Sequence, residues 1–327
     1  MQIRSLALAS LFVVQFVRAT TITENFSSDP LQHGWQIFGN PNLFRWNATN
    51  QNLEVTWDST QTNSYYYQPL GTTVTRHDDF SIAFDLRLDD IGPGPAPSKS
   101  NSFELTIGFF NLNEATTTNF VRATGYDSPN LVEFDYFWDS GYGATVMPAI
   151  VGTNSDFNYN GASDYAIYPL TPGDWYHVQM TYTAPNQTLV TTFTNLAQNS
   201  GGAVTQLVNG AFSDYRVDTL AISSFSDAGQ DPMWGEGSIL AHGAVDNIAV
   251  IVPALPAHNL AGGFTNGNWQ VQFSARANWL FMLERTVDFQ TWTELAPAVS
   301  GITGTMSLID TNPPVGHALY RIRASRP

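Results

Sequence analysis

The chain has 327 residues, with 28 acidic and 13 basic side chains; without Arg4 and Arg18, which fall within the first nineteen residues, the formal charge is −17. Such a balance disfavours nucleic acid and anionic membranes as partners, because both are held by basic surface. There is no cysteine, so a chain of this size must be held by apolar burial rather than disulfides, and Lys99 is the only lysine, which leaves little scope for lysine-based catalysis.

In chain order, the N-terminus carries one positive charge within residues 1–4, an apolar run over 6–16, and the short tail Val17-Arg18-Ala19 before Thr20. This is the pattern of a secretory signal peptide at 1–19, and it predicts a secreted or cell-surface protein. The apolar run is too short for a membrane span, and no later stretch approaches the length one requires. From there the chain reads as strand after strand. Runs at 53–57, 80–88, 103–110, 131–138, 176–182, 189–194, 217–223 and 244–252 are rich in β-branched and aromatic residues, and Asn, Asp, Gly and Pro clusters separate them. Many strands without intervening helices predict an all-β fold, with antiparallel sheets packed face to face as a jelly-roll sandwich.

Pro253 and Pro256 interrupt the strand pattern, since neither can donate to a ladder. A second series of short strands follows at 269–273, 279–285, 292–295, 306–309 and 319–322. The expected organisation is therefore a signal peptide at 1–19, a large domain at 20–252, a linker at 253–263 and a small β domain at 264–327. The small domain carries no catalytic constellation.

The segment from Leu131 to Ser140 holds the most chemistry. Side chains in an extended chain repeat every two residues, so Glu133, Asp135 and Phe137 share one face, while Val132, Phe134 and Tyr136 share the other. Paired carboxylates on a strand suit three readings: an ordinary solvated face, a hard cation held by oxygens, or glycosidic cleavage by an acid and a nucleophile. Tyr66, within Tyr65-Tyr66-Tyr67, and Asp227, Asp231 and Trp234, within the loop 227–234, are candidates for holding a sugar ring through aromatic faces and hydrogen-bonding carboxylates. Asp246 and Glu24 are candidates for a shared structural cation, with Asp246 as a turn cap the alternative.

The succession of 80–85, 103–110, Val132-Glu-Phe-Asp-Tyr-Phe-Trp-Asp139 and 178–189 resembles the central strands of concanavalin A-like lectins and glucanases. The resemblance covers roughly 20–252. It implies that Glu133, Asp135, the carbonyl of Phe137, and Asp139 in place of a lectin's Asn act as metal ligands, with calcium as the cofactor. A further ligand must then come from another loop, with Asp127, Asp156 and Asp227 the first acids to consider. In the related glucanases a third acid follows two or three residues after the Asp; this chain has Phe137 and Trp138 there, so no catalytic residues are assigned. The C-terminal region is similar to small β modules on bacterial exported proteins. The function expected is that of a secreted, non-catalytic protein binding an extracellular polysaccharide or other glycan, with calcium as a cofactor. The alternatives are a jelly-roll glycoside hydrolase or polysaccharide lyase, or a structural exported protein without a small ligand.

Overall fold

The computed structural model describes residues 20–327 apart from Pro95, Pro97, Ser100, Thr124, Gly125 and 231–234. The segment 1–19 expected to be a signal peptide, Asp231 and Trp234 lie outside the described residues. The chain divides into two compact units, Thr20–Pro253 and a second beginning at Ala254.

The larger unit is an all-β jelly-roll sandwich of two antiparallel sheets. One sheet runs in the order Ser200–Leu207, Thr188–Asn195, Trp175–Thr183, Phe80–Pro93, Gly237–Val252, Asn52–Asp58, Phe44–Asn47. The other runs Ala166–Ile167, Thr145–Val146, Leu131–Phe137, Glu104–Phe110, Val217–Ser224, Ser64–Val74, Gln36–Phe38, with Ala149–Val151 also paired to Leu131–Phe137. Thr20–Glu24 pairs with Gly237–Val252, so the first and last strands of the unit lie side by side. Phe134 packs edge-on to Phe84 at 5.7 Å, and Phe109 meets Phe80 at 5.4 Å. The Val132, Phe134, Tyr136 face is thus the one turned to the opposite sheet, as the alternation requires.

The two sheets differ in their outer faces. Trp175–Thr183 alternates buried with partly exposed residues, the pattern of a sheet with one wet face. Glu104–Phe110 is buried throughout, and so is Leu131–Phe137 except at Phe137. The reason is a third layer, the described residues of the segment 111–130, folded over the second sheet. The Tyr65 hydroxyl donates to the Ala115 carbonyl at 3.0 Å, and Phe120 stacks on Phe225 at 5.9 Å, with Tyr65 against Phe225 at 5.6 Å. Gly108 lies in the middle of this covered face, where a Cβ would stand 2.5 Å from the Cα of Glu133; only glycine fits.

The smaller unit pairs Ala257–Thr265, Asn268–Ala275 and Gly304–Asp310 in one sheet, and Leu280–Thr286 with Thr293–Glu294, Val299–Ser300 and Leu319–Ser325 in another. Phe273, Ala275, Trp279 and Phe281 form its core. The expected linker at 253–263 is corrected here. Ala257–Thr265 is a strand of the second unit, hidden in the sequence because its side chains are mostly exposed and give no apolar alternation.

Candidate functional site

Glu133 and Asp135 project together from Leu131–Phe137, and neither is solvated. They are 0% and 2% exposed, Glu104 is 7% exposed, and Arg122 is 3% exposed. The ladder explains how these residues meet. Glu104 is opposite Phe137, and Thr106 is opposite Asp135, so Glu104 and Asp135 are diagonal neighbours on one face. Arg122 and Asp127 are opposite each other in the short hairpin Arg122–Ala123 and Tyr126–Asp127, within the covering segment. The hairpin sets the guanidinium into the middle of the carboxylates.

Arg122 Nη2 donates to Asp135 Oδ2 at 2.8 Å, and Nη1 donates to Asp127 Oδ1. Nε stands 3.2 Å from Glu133 Oε2 and 3.7 Å from Glu104 Oε1, close enough to pair as charges but outside hydrogen-bonding geometry. Both Glu133 oxygens, Glu104 Oε1 and Asp135 Oδ1 are therefore buried without a hydrogen-bond partner. The Phe225 ring lies 5.6 Å from the guanidinium carbon.

One guanidinium among four carboxylates leaves an excess of negative charge in a low-dielectric interior, and such groups hold protons instead of ionising fully. Burial pushes the Glu104 carboxyl up to about 7 and the Asp135 carboxyl up to about 8, with Arg122 pulling both down; Glu133 is raised well above its ordinary range for the same reason. For Arg122 the order reverses. Burial pulls its pKa down, but Asp127, Asp135, Glu104 and Glu133 together raise it well above the ordinary value, so it stays charged.

These residues do not fit the calcium expected from the sequence. The place beside Glu133 and Asp135 is filled by the guanidinium, and among the described residues no three His, Asp or Glu side chains are arranged to hold a metal ion. Asp139 is not part of the group; it is exposed and accepts from the backbone N–H of Gly141 at 2.9 Å and of Gly143 at 3.2 Å, capping the following loop. Phe137 sits at the strand end between Glu104 and Thr145. Of the loop acids, Asp127 joins the cluster as a partner of Arg122, whereas Asp156 holds Ser213 through its backbone N–H at 2.6 Å. Glycosidic cleavage is equally unsupported here. Glu104 supplies the third carboxylate that the Phe137 and Trp138 positions lack, but the group is sealed beneath 111–130, where no sugar reaches it.

The other sequence candidates fall elsewhere. Tyr66 is 2% exposed and stacks on Trp35 at 5.2 Å in the core, so it has no face to offer a sugar. Its hydroxyl is buried without a hydrogen bond. Tyr66→Phe is therefore expected to leave stability unchanged or raise it by up to about 1 kcal/mol, measurable by urea denaturation; a loss above about 1 kcal/mol shows that the hydroxyl has a partner. Asp227 is also buried, accepting from Ser59 Oγ and Lys99 Nζ, each at 2.8 Å, so the single lysine is used structurally. Asp246 accepts from the Asn247 backbone N–H at 2.7 Å and caps its turn.

The open part of this sheet is its outer rim. Thr145 lies opposite both Phe137 and Ile167, and Val151 lies opposite both Leu131 and Phe157. Ile167 and Phe157 therefore share the face that carries Glu133 and Asp135, but beyond the cover of 111–130. Ile167, Phe157, Tyr159, Trp138 and Tyr142 are all exposed, Tyr142 by 80% and Tyr159 by 53%. The loops carrying these rings are braced. Asp139 caps the loop of Tyr142, where Gly141 and Gly143 take positive φ of 87° and 102°, and Asp164, itself buried, accepts from both the backbone and the side-chain N–H groups of Asn160 beside Tyr159.

Sequence reasoning missed Glu104, Arg122 and this rim. Glu104 was detectable, because it alternates with Thr106 and Gly108 as the polar or small face of an otherwise apolar strand. Arg122 sits in a two-residue strand with no periodicity to mark it.

No family model and no curated protein matches the chain in sequence. In structure the chain is similar to lectin II from Ulex europaeus, at 16% identity over 72% of this chain and 98% of that one, with a TM-score of 0.46. It is also similar to lectin I from Ulex europaeus, in a complex with the methyl glycoside of α-L-fucose, at 14% identity over 72% and 98% of the two chains with a TM-score of 0.46. The seed lectin of Lotus tetragonolobus aligns at 9% identity over 71% and 97%, with a TM-score of 0.43.

Proposed function

We propose that this is an exported protein that binds an extracellular glycan along the aromatic rim of the larger unit, without calcium and without catalysis. The observation that carries the reading is the set of exposed rings Trp138, Tyr142, Phe157 and Tyr159 on braced loops and edge segments. Exposed aromatic side chains present flat apolar faces with a polar tip, which suits a sugar ring that is apolar on its faces and hydroxylated at its edge. Loops already fixed by their own caps lose little freedom on binding. The span from the Leu131 row to the Phe137 row is six residues, about 20 Å at the strand rise, which suits an oligosaccharide better than a single ring.

Affinity electrophoresis of the full chain in gels containing plant and bacterial polysaccharides tests the reading. At least one polysaccharide should retard the protein equally with calcium and with a chelator. Tyr142→Ala and Tyr159→Ala should each weaken that binding by roughly tenfold, as for aromatic anchors at other interfaces. Binding that survives both substitutions together, or no binding to any glycan, removes the proposal.

A further inference from the structure

We infer that the aromatic rim selects its glycan by charge, taking a sugar polymer without acidic groups and refusing one that carries carboxylates or sulfates. The inference rests on the proposed glycan rim and names the class of ligand that rim admits.

The first support is the chain itself. From 123 to 215 there is no lysine or arginine, while eight acidic side chains fall in the same stretch. Trp138, Tyr142, Phe157, Tyr159 and Ile167 all lie inside it. Between residues 20 and 253 there are 24 acidic and 6 basic side chains, a formal charge of −18, so the field around the whole unit is negative as well.

The second support is where the six basic side chains go. Arg122 is buried within the carboxylate cluster. Lys99 donates to the Asp227 carboxylate at 2.8 Å and to the Asp227 carbonyl at 2.6 Å. Arg76 donates to the Phe212 carbonyl at 2.7 Å and to Gln187 Oε1 at 2.6 Å. Arg45 pairs with Glu54, and Arg87 with Asp89, on the other sheet. Arg216 precedes Val217–Ser224, four strand spacings from Phe157 by way of Phe110, Leu131 and Val151, roughly 19 Å along the sheet. An acidic sugar is ordinarily held by a guanidinium fork or an ammonium, which offsets the loss of water from its carboxylate or sulfate. The rim draws on none of the six.

The third support is that the rings are open. Among the described residues the arginines stacked on aromatic rings lie elsewhere, on Trp175, Phe225, Trp279 and Trp292. The faces of the rim rings are therefore negative, as aromatic faces are, and the exposed carboxylate of Asp139 follows Trp138 directly. The C–H face of an uncharged sugar suits such a surface, whereas an anion meets only negative charge there.

Titration of the full chain with polymers that share a backbone and differ in charge tests this. The pairs are hydroxyethyl- and carboxymethylcellulose, methyl-esterified and de-esterified pectin, and the polysaccharide retained best in the gels with its chemically sulfated form. For each backbone that binds, the uncharged member should bind at least roughly tenfold tighter in about 20 mM salt, and the gap should shrink to about twofold in about 0.5 M salt, where charges are screened. Ile167→Lys, which adds an ammonium to the rim face, should strengthen binding of the acidic member several-fold. An acidic member that binds as tightly as its uncharged partner at low salt, with Tyr142→Ala weakening both, overturns the charge inference and leaves the rim standing. A preference that salt does not change overturns it too, because shape is then the cause. Binding to no polymer, in the pairs or in the gels, removes the rim reading and this inference with it.

Discussion

Glu104→Gln is expected to be as stable as the unsubstituted protein at about pH 4 and about 3 kcal/mol more stable at pH 9. Burial raises the folded-state pKa of Glu104 from an ordinary 4.5 to about 7, against the opposing pull of Arg122. Between these values the native state holds a proton that the unfolded chain has released, so its stabilising contribution is full below about pH 4.5 and is lost as the pH rises through about 7. An amide resembles the protonated acid at every pH and removes that loss. Asp135, raised to about 8, and Glu133, raised further by burial, act in the same direction, so the larger unit should weaken steadily from mildly acidic to alkaline solution. Urea denaturation at pH 4, 7 and 9, followed by tryptophan fluorescence, reads the difference between the two proteins. A variant that is less stable than its parent at pH 9 shows that Glu104 is ionised and held by Arg122, the opposite of this assignment.

The second large effect lies one residue from the cluster, on the other face of the same strand. Phe134→Ala should destabilise the larger unit by about 3–5 kcal/mol and lower its melting temperature by roughly ten degrees, because it opens a cavity between the sheets where Phe134 meets Phe84. The loss should be nearly independent of pH, since the core face of Leu131–Phe137 carries no titrating carboxylate. Side by side, the two substitutions separate the faces of one strand by their pH dependence. A pH-dependent loss in Phe134→Ala means that the cavity reaches the buried carboxylates.

On the proposed reading, glycan binding and stability divide between different parts of the same sheet. Its centre is covered and holds the carboxylates around Arg122, and the side chains there hold the third layer in place. Its rim is uncovered, with aromatic rings on loops fixed by Asp139 and by Asp164. Six of the eight strands expected in the larger unit were visible in the sequence to within about two residues at each end, and a seventh, Phe80–Pro93, runs five residues past its expected end. The eighth, Gly237–Val252, begins seven residues earlier than its apolar run suggests, because His242 and Gly243 interrupt the pattern.

The residues by themselves determined the all-β class, the alternation that sets Glu133 and Asp135 on one face and Phe134 on the other, and the change of unit at Pro253. These follow from local chemistry: side chains alternate in any extended strand, and proline cannot join a ladder. What lies over a strand face is not local. Whether Glu133 meets water, a metal or a guanidinium depended on residues 111–130 folding back across the sheet, and on Glu104 and Arg122 arriving from positions 29 and 11 residues away in the chain. The same dependence took Tyr66 into the core against Trp35 and left Tyr142 and Tyr159 in solvent. An exposed ring and a buried one carry the same letter in the sequence, and only the packing of distant segments separates them.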